Sequence, residues 1–258
     1  MHTLAAVTKS IDDISMYFEI YSESVSAEEF ESLFDGEKFI YKTDDCIVLL
    51  HGNGEDNNVF ALQKEALCSA FTYVLSLDSR GHGRTTAGTE EFSIDLMAED
   101  LAKLCDEINL GSFSLLGFSD GGNVALTYAV RHPERLSALA ISGANLNPSG
   151  MKTAFQIKVA IDCAIAKLSK DKSKEKRIKY QLLSLMAKHP HISSRLLSNI
   201  RCKTLVMAGE RDLIKRSHTE LIARSIQNAR LEIIPACSHF TFGDKPQEVN
   251  DILKNFFA

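Results

Sequence analysis

Ser119, Asp212 and His239 are the three side chains in this 258-residue sequence whose types and order could together perform nucleophilic catalysis. A serine hydroxyl attacks poorly in water. It needs a base within hydrogen-bond reach, an acid that orients the base, and N–H donors for the oxyanion that attack creates. Ser119 stands in Gly117-Phe118-Ser119-Asp120-Gly121-Gly122, where Gly117 and Gly121 permit a sharp, strained turn and Gly122 permits close backbone approach. His239, in Pro235-Ala236-Cys237-Ser238-His239-Phe240, is of the type that accepts an alcohol proton at neutral pH. Asp212, in Gly209-Glu210-Arg211-Asp212-Leu213, can hold that imidazole, and Glu210 is the alternative acid. Each has an ordinary structural reading when taken singly. A shuffled chain of this composition would contain Gly-x-Ser-x-Gly about once in fourteen attempts, and Asp212 could simply cap a helix.

The elements around them decide between the readings. Short apolar runs lie at Cys46–Leu50, Tyr73–Leu77, Phe113–Leu116, Leu139–Ile141, Thr204–Met207 and Leu231–Ile234. Their near-continuous hydrophobicity predicts strands buried on both faces. Ile94, Met97, Leu101, Leu104, Cys105 and Ile108 step by three and four, which is one face of a helix. The alternation predicts an α/β chain with a mostly parallel, doubly wound sheet. In it Ser119, Asp212 and His239 each follow a different strand, in a chain order compatible with one site. Ser119 lies between the Phe113–Leu116 strand and a predicted helix over 123–130. The residue after it, Asp120, supplies one oxyanion N–H; the second is assigned to Asn53, in the glycine-containing loop His51-Gly52-Asn53-Gly54 after the first parallel strand. Upstream, 16–21 and 38–41 are expected to be antiparallel opening strands, with a short helix over 28–34 between them.

The alternation fails between 149 and 200. This stretch holds eleven Lys or Arg against three Asp or Glu, a net +8, which leaves −13 for the rest of a chain whose total is −5. It is expected to be a helical cap inserted into a core of residues 1–148 and 201–258. A solvated helical face explains such a charge run; a basic lid that attracts anionic substrates is the sharper alternative.

Composition excludes several other classes. Apolar residues make up 45% and charged residues 24%, as in a folded globular chain. There is no run of 18 apolar residues and no leader-like N-terminus, so the expectation is a cytoplasmic protein without membrane contact. The six cysteines are dispersed, without metal-ligand spacing. The negative net charge argues against nucleic acid as a partner. The loop at Gly52 lacks a third glycine for dinucleotides and no phosphate loop occurs, so neither metal nor organic cofactor is expected.

Four motifs give the chain a resemblance to the α/β-hydrolase fold superfamily over nearly its whole length. His51-Gly52-Asn53-Gly54 is similar to the family's oxyanion loop, and Asp78-Ser79-Arg80-Gly81-His82-Gly83-Arg84-Thr85 to its turn after the next strand. Gly117 to Gly122 resembles the nucleophile elbow, and the Asp212 and His239 loops resemble its acid and histidine loops. Thr85 stands where many relatives have serine, the 22–35 segment is longer than in compact members, and 149–200 occupies the place of the variable lid. Asp120 is similar to members that act on esters of amino compounds, a likeness from which no amine substrate is inferred. The resemblance implies Ser119, Asp212 and His239 as a triad. The expected activity is hydrolysis of a small carboxylic ester, thioester or related acyl substrate through an acyl-enzyme. A small-molecule sensor on the same fold is the alternative from another class; C–C hydrolysis, acyl transfer and peptide hydrolysis are alternatives with the same catalyst.

Overall fold

The computed structural model describes residues 1–40, 42–171 and 173–258. In chain order the elements are β1 (His2–Ile11), β2 (Ile14–Ser22), α1 (Ala27–Leu33), β3 (Cys46–Leu50), α2 (Ala61–Cys68), β4 (Tyr73–Leu77), α3 (Ile94–Glu107), β5 (Phe113–Phe118), α4 (Asp120–Arg131), β6 (Leu136–Ser142), α5 (Thr153–Leu168), α6 (Lys174–Lys188), β7 (Lys203–Gly209), α7 (Arg216–Ser225), β8 (Ala229–Ile234), α8 (Thr241–Asp244) and α9 (Pro246–Phe257). The described residues form one eight-stranded sheet of order β1-β2-β4-β3-β5-β6-β7-β8. It is parallel from β4 to β8, and β1 and β2 run antiparallel at one edge.

Alternate residues of the central strands feed two separate cores, as the period of two requires. Val48 and Leu50 of β3 pack with Leu115 of β5 and Leu139 of β6 beneath α3, α4 and α7. Ile47 and Leu49 pack with Leu116, Ala140 and Met207 beneath α2, α8 and α9. The Ile94, Met97, Leu101 and Leu104 stripe of α3 is the buried face that its spacing predicted. Ser93 caps that helix, its hydroxyl accepting from the Leu96 N–H at 3.1 Å.

Because β3 is flanked by β4 and β5, the chain leaves the carboxyl ends of β3 and β5 in opposite directions. A crevice opens there, at the topological switch point, and it is where a doubly wound sheet holds ligands.

The N-terminal edge differs from expectation. The hairpin partner of β2 is β1 (His2–Ile11), and 38–40 is not a strand; Tyr41 of the expected 38–41 strand, and Lys172 of the basic stretch, lie outside the described residues. β1 is an edge strand that alternates exposed and half-buried residues, so its sequence carries no continuous apolar run. Phe39 is buried for another reason. It packs against Phe34 at 5.4 Å and Tyr73 at 5.2 Å between ring centres, closing the underside of α1.

Residues 149–200 carry α5 and α6, packed together over the carboxyl ends of the strands. Their base is tied to the loop after β7: the Lys152 N–H donates to Leu213 O and the Lys215 N–H to Gly150 O, both at 2.8 Å. Gln181 of α6 accepts from the Phe92 N–H at 3.0 Å, joining the pair to the segment before α3.

Candidate active site

Ser119 occupies the turn between β5 and α4 with φ +53° and ψ −119°, a left-handed conformation that L side chains rarely adopt. The neighbouring glycines make it possible. A Cβ on Gly121 would lie 2.2 Å from the Leu50 carbonyl oxygen, and one on Gly117 would lie 2.4 Å from the Gly121 carbonyl oxygen. The turn is held by the Ser119 N–H donating to Ser142 O at 2.8 Å.

The expected partners converge on this residue. His239 Nε2 lies 3.0 Å from Ser119 Oγ, and His239 Nδ1 lies 2.7 Å from Asp212 Oδ1. With the proton on Nδ1, the imidazole donates to the carboxylate and presents a lone pair to the serine hydroxyl. Asp212 is buried, and its Oδ1 also accepts from the Ile214 N–H at 2.8 Å. Glu210, the alternative acid, does something else: its Oε2 accepts from the Ala236 N–H at 2.8 Å and anchors the histidine loop to the end of β7. Asp244 holds the same loop by accepting from the Ser238 N–H at 2.8 Å.

Several residues to which the sequence assigned no role in the site fix this geometry. The His239 ring lies over Gly143, whose φ is +68°; a Cβ there would sit 2.6 Å from His239 Cε1. Phe118 packs against the same ring, 5.2 Å away between ring centres. His51 joins two loops, with Nδ1–H donating to Gly52 O at 2.7 Å and Nε2 accepting from the Ser79 N–H at 2.9 Å. Burial lowers its pKa to about 4, so both bonds belong to the neutral ring. The turn after β4 is likewise a scaffold. Asp78 accepts from the Asn57 and Arg84 N–H groups at 2.8 Å each, and the Thr85 hydroxyl donates to Asp78 O while accepting from the Tyr17 N–H. Threonine performs that bridging with the same oxygen a serine would offer.

Asn53 and Asp120 face one another beside Ser119. Asn53 Nδ2 donates to Asp120 Oδ2 at 3.0 Å and to the Leu182 carbonyl of α6 at 3.1 Å. The other carboxylate oxygen of Asp120 accepts from Asn123 Nδ2 at 3.0 Å, and Asn123 in turn holds Asn145. Burial raises the Asp120 pKa and the two amide donors oppose that rise. As the first residue of α4, Asp120 carries one of the four N–H groups that a helix start leaves without an intrahelical acceptor. Glu55 was missed by sequence reasoning altogether. Its Oε2 accepts from the Gly52 N–H at 3.0 Å and, with Ser119, it lines the cavity; burial raises its pKa.

That cavity has a volume of about 400 Å³ and lies between the sheet end and the helix pair. Met151, Phe155 and Met186 give it apolar lining, and Ser119, Asn53 and Asp120 polar lining.

The model of a family described as alpha/beta hydrolase fold matches residues 45–162. The chain is similar to a putative carbamate hydrolase, RutD, of Caulobacter sp. (strain K31), with 27% identity over 82% of this chain and 90% of that protein. It is similar to the serine hydrolase BPHL of Homo sapiens, with 26% identity over 83% of this chain and 79% of that one. Among solved structures it resembles an esterase from Exiguobacterium antarcticum at a TM-score of 0.76 and 21% identity, over 97% of this chain and 98% of that chain, a likeness of fold.

Proposed function

The chain belongs to the α/β-hydrolase fold superfamily, and from that premise we propose that it is a serine hydrolase that cleaves a small carboxylic ester, thioester or related acyl bond through an acyl-enzyme on Ser119. One observation carries the reading: the continuous hydrogen-bonded line from Ser119 Oγ through His239 to Asp212, at 3.0 and 2.7 Å. His239 takes the serine proton as Oγ attacks the acyl carbon, gives it to the leaving oxygen or sulfur, and then activates water to release the acid. Asp212 keeps the proton on Nδ1 and stabilises the imidazolium that forms. The N–H groups of Asn53 and Asp120 receive the oxyanion, the latter reinforced by the start of α4.

Residues 149–200 act as the cap of this site, with the remainder as the core. The wall formed by Met151, Phe155 and Met186 suits an apolar acyl or leaving group, and about 400 Å³ sets its size. Hydrolases among the similar proteins support the reaction class. The cysteines are all free and Cys46, Cys68, Cys105 and Cys237 are buried, which supports placing the protein in a reducing compartment such as the cytoplasm.

A panel of p-nitrophenyl esters of graded acyl length tests the proposal. Turnover of short esters is expected, with a loss of at least about 10³-fold in kcat for both Ser119→Ala and His239→Ala. Absence of turnover across the panel, or equal turnover by the variants, would contradict it.

A further inference from the structure

α5 presents two faces of the same character. One packs against α6 through the buried Val159 and lends Phe155 to the cavity wall. The outer one is apolar and uncovered: Ile157, Ile161, Ile165 and Leu168 are exposed at 55%, 54%, 64% and 81%, with Ala160 and Ala164 exposed between them. The spacing of four, four and three residues places the large side chains on one line along the helix, a stripe of about 17 Å at 1.5 Å per residue. Monomeric surfaces scatter large apolar residues singly; a continuous row marks an interaction surface.

The charge around the stripe names its partner. Lys158 and Lys167 flank it on α5, and Lys176 and Lys179 of α6 are exposed along a groove that they share with Ile165. The 149–200 segment is +8 and the remainder of the chain −13. A second copy docked stripe to stripe would bring two strongly basic segments together, so self-association is opposed. An acidic protein could match the lysines, yet Asp162, paired with Lys158, also lines the groove beside Ile165 and opposes an acidic anchor side chain there. A flat anionic lipid surface satisfies both features: it takes the apolar row into its acyl boundary, attracts the lysines and repels the acidic body, so that contact is confined to the cap. We propose that α5 docks the protein peripherally on anionic membranes, with the stripe inserted and the lysines at the headgroups.

Docking in this way requires no membrane-spanning element, and among the described residues no helix is long and apolar enough to be one. It departs from the sequence-based expectation of a protein without membrane contact, because the apolar row of α5 is shorter than any spanning segment. The inference is independent of the catalytic reading, because its exposed side chains do not line the Ser119 cavity and flotation is measured on the Ser119→Ala protein.

Full-length Ser119→Ala protein is floated with phosphatidylcholine vesicles, with and without about one-third phosphatidylglycerol, at low and high salt. Co-flotation is expected with the anionic vesicles alone. It should fall at least about fivefold at high salt, in an Ile161→Asp/Ile165→Asp variant and in a Lys176→Glu/Lys179→Glu variant. Light scattering without lipid should give a monomer, and circular dichroism spectra and thermal melts of both double variants should match the parent, showing that they fold. No co-flotation, or co-flotation indifferent to the isoleucine changes, overturns the proposal. A dimer that Ile161→Asp dissociates would assign the stripe to a second copy instead.

Discussion

In the proposed mechanism catalysis depends on the tautomer and position of one imidazole, and each is set by a different residue. Asp212 sets the tautomer. Asp212→Asn should leave the fold intact and lower kcat on the order of 10⁴-fold, because the amide stabilises the wrong protonation of His239; steady-state kinetics with a circular dichroism control checks this. Gly143 sets the position. Gly143→Ala meets both a φ of +68° and a contact of 2.6 Å to His239 Cε1, so the ring must move. A displacement of that size predicts a kcat loss of about 100-fold, larger than any change in binding of a product acid; an unchanged kcat would show that the loop absorbs the methyl group. The two residues differ in how far the sequence reveals them. Asp212 stands in a loop of recognisable composition after an apolar run. Gly143 follows β6 as an ordinary glycine, and its purpose exists only once His239 has been brought from 96 positions further along the chain. Glu55, Asn123 and Asn145 escaped for the same reason, since their partners are defined by packing.

The strands and helices that present these residues were legible because their hydrophobic periods are pure. β3 and β4 coincide with the runs Cys46–Leu50 and Tyr73–Leu77, and α3 with its three-and-four stripe. β1 was not legible, because an edge strand buries one face only partly and its alternation is weak. The loops between elements carry more stability than their exposure suggests. Arg80, fully buried, binds Asp100 of α3 through two bonds of 2.7 and 2.8 Å and Asp13 of the β1–β2 turn at 2.8 Å. Removing Asp100 takes the two-bonded, fully buried partner from a buried guanidinium and leaves it Asp13 alone, so Asp100→Ala should cost about 3 kcal/mol in urea unfolding. The exposed Lys188–Glu91 pair, between α6 and the segment before α3, is the control: Lys188→Ala should cost less than about 1 kcal/mol. Equal costs would mean that the buried pair contributes no more than an exposed one to holding the turn after β4 against α3.

At the scale of the molecule, acid stability is governed in part by two histidines in edge-to-face contact, His51 at the end of β3 and His82 in the turn after β4. His51 and His82 lie 4.8 Å apart between ring centres, and burial lowers both pKa values from the ordinary 6.5 to about 4. Between those values the unfolded chain binds protons that the folded protein refuses. Stability therefore falls as pH drops from 6.5 towards 4, by up to about 1.4 kcal/mol per pH unit for each ring. Denaturant melts across that range check the slope, and a flat profile would mean that the rings accept protons without unfolding. The central claim, that Ser119 is an activated nucleophile, has a more direct test. Native protein and its Ser119→Ala variant are treated with a fluorophosphonate and their intact masses measured. One phosphonyl adduct on the wild type and none on the variant is the predicted result; an unlabelled wild type, or a variant labelled equally, would contradict it.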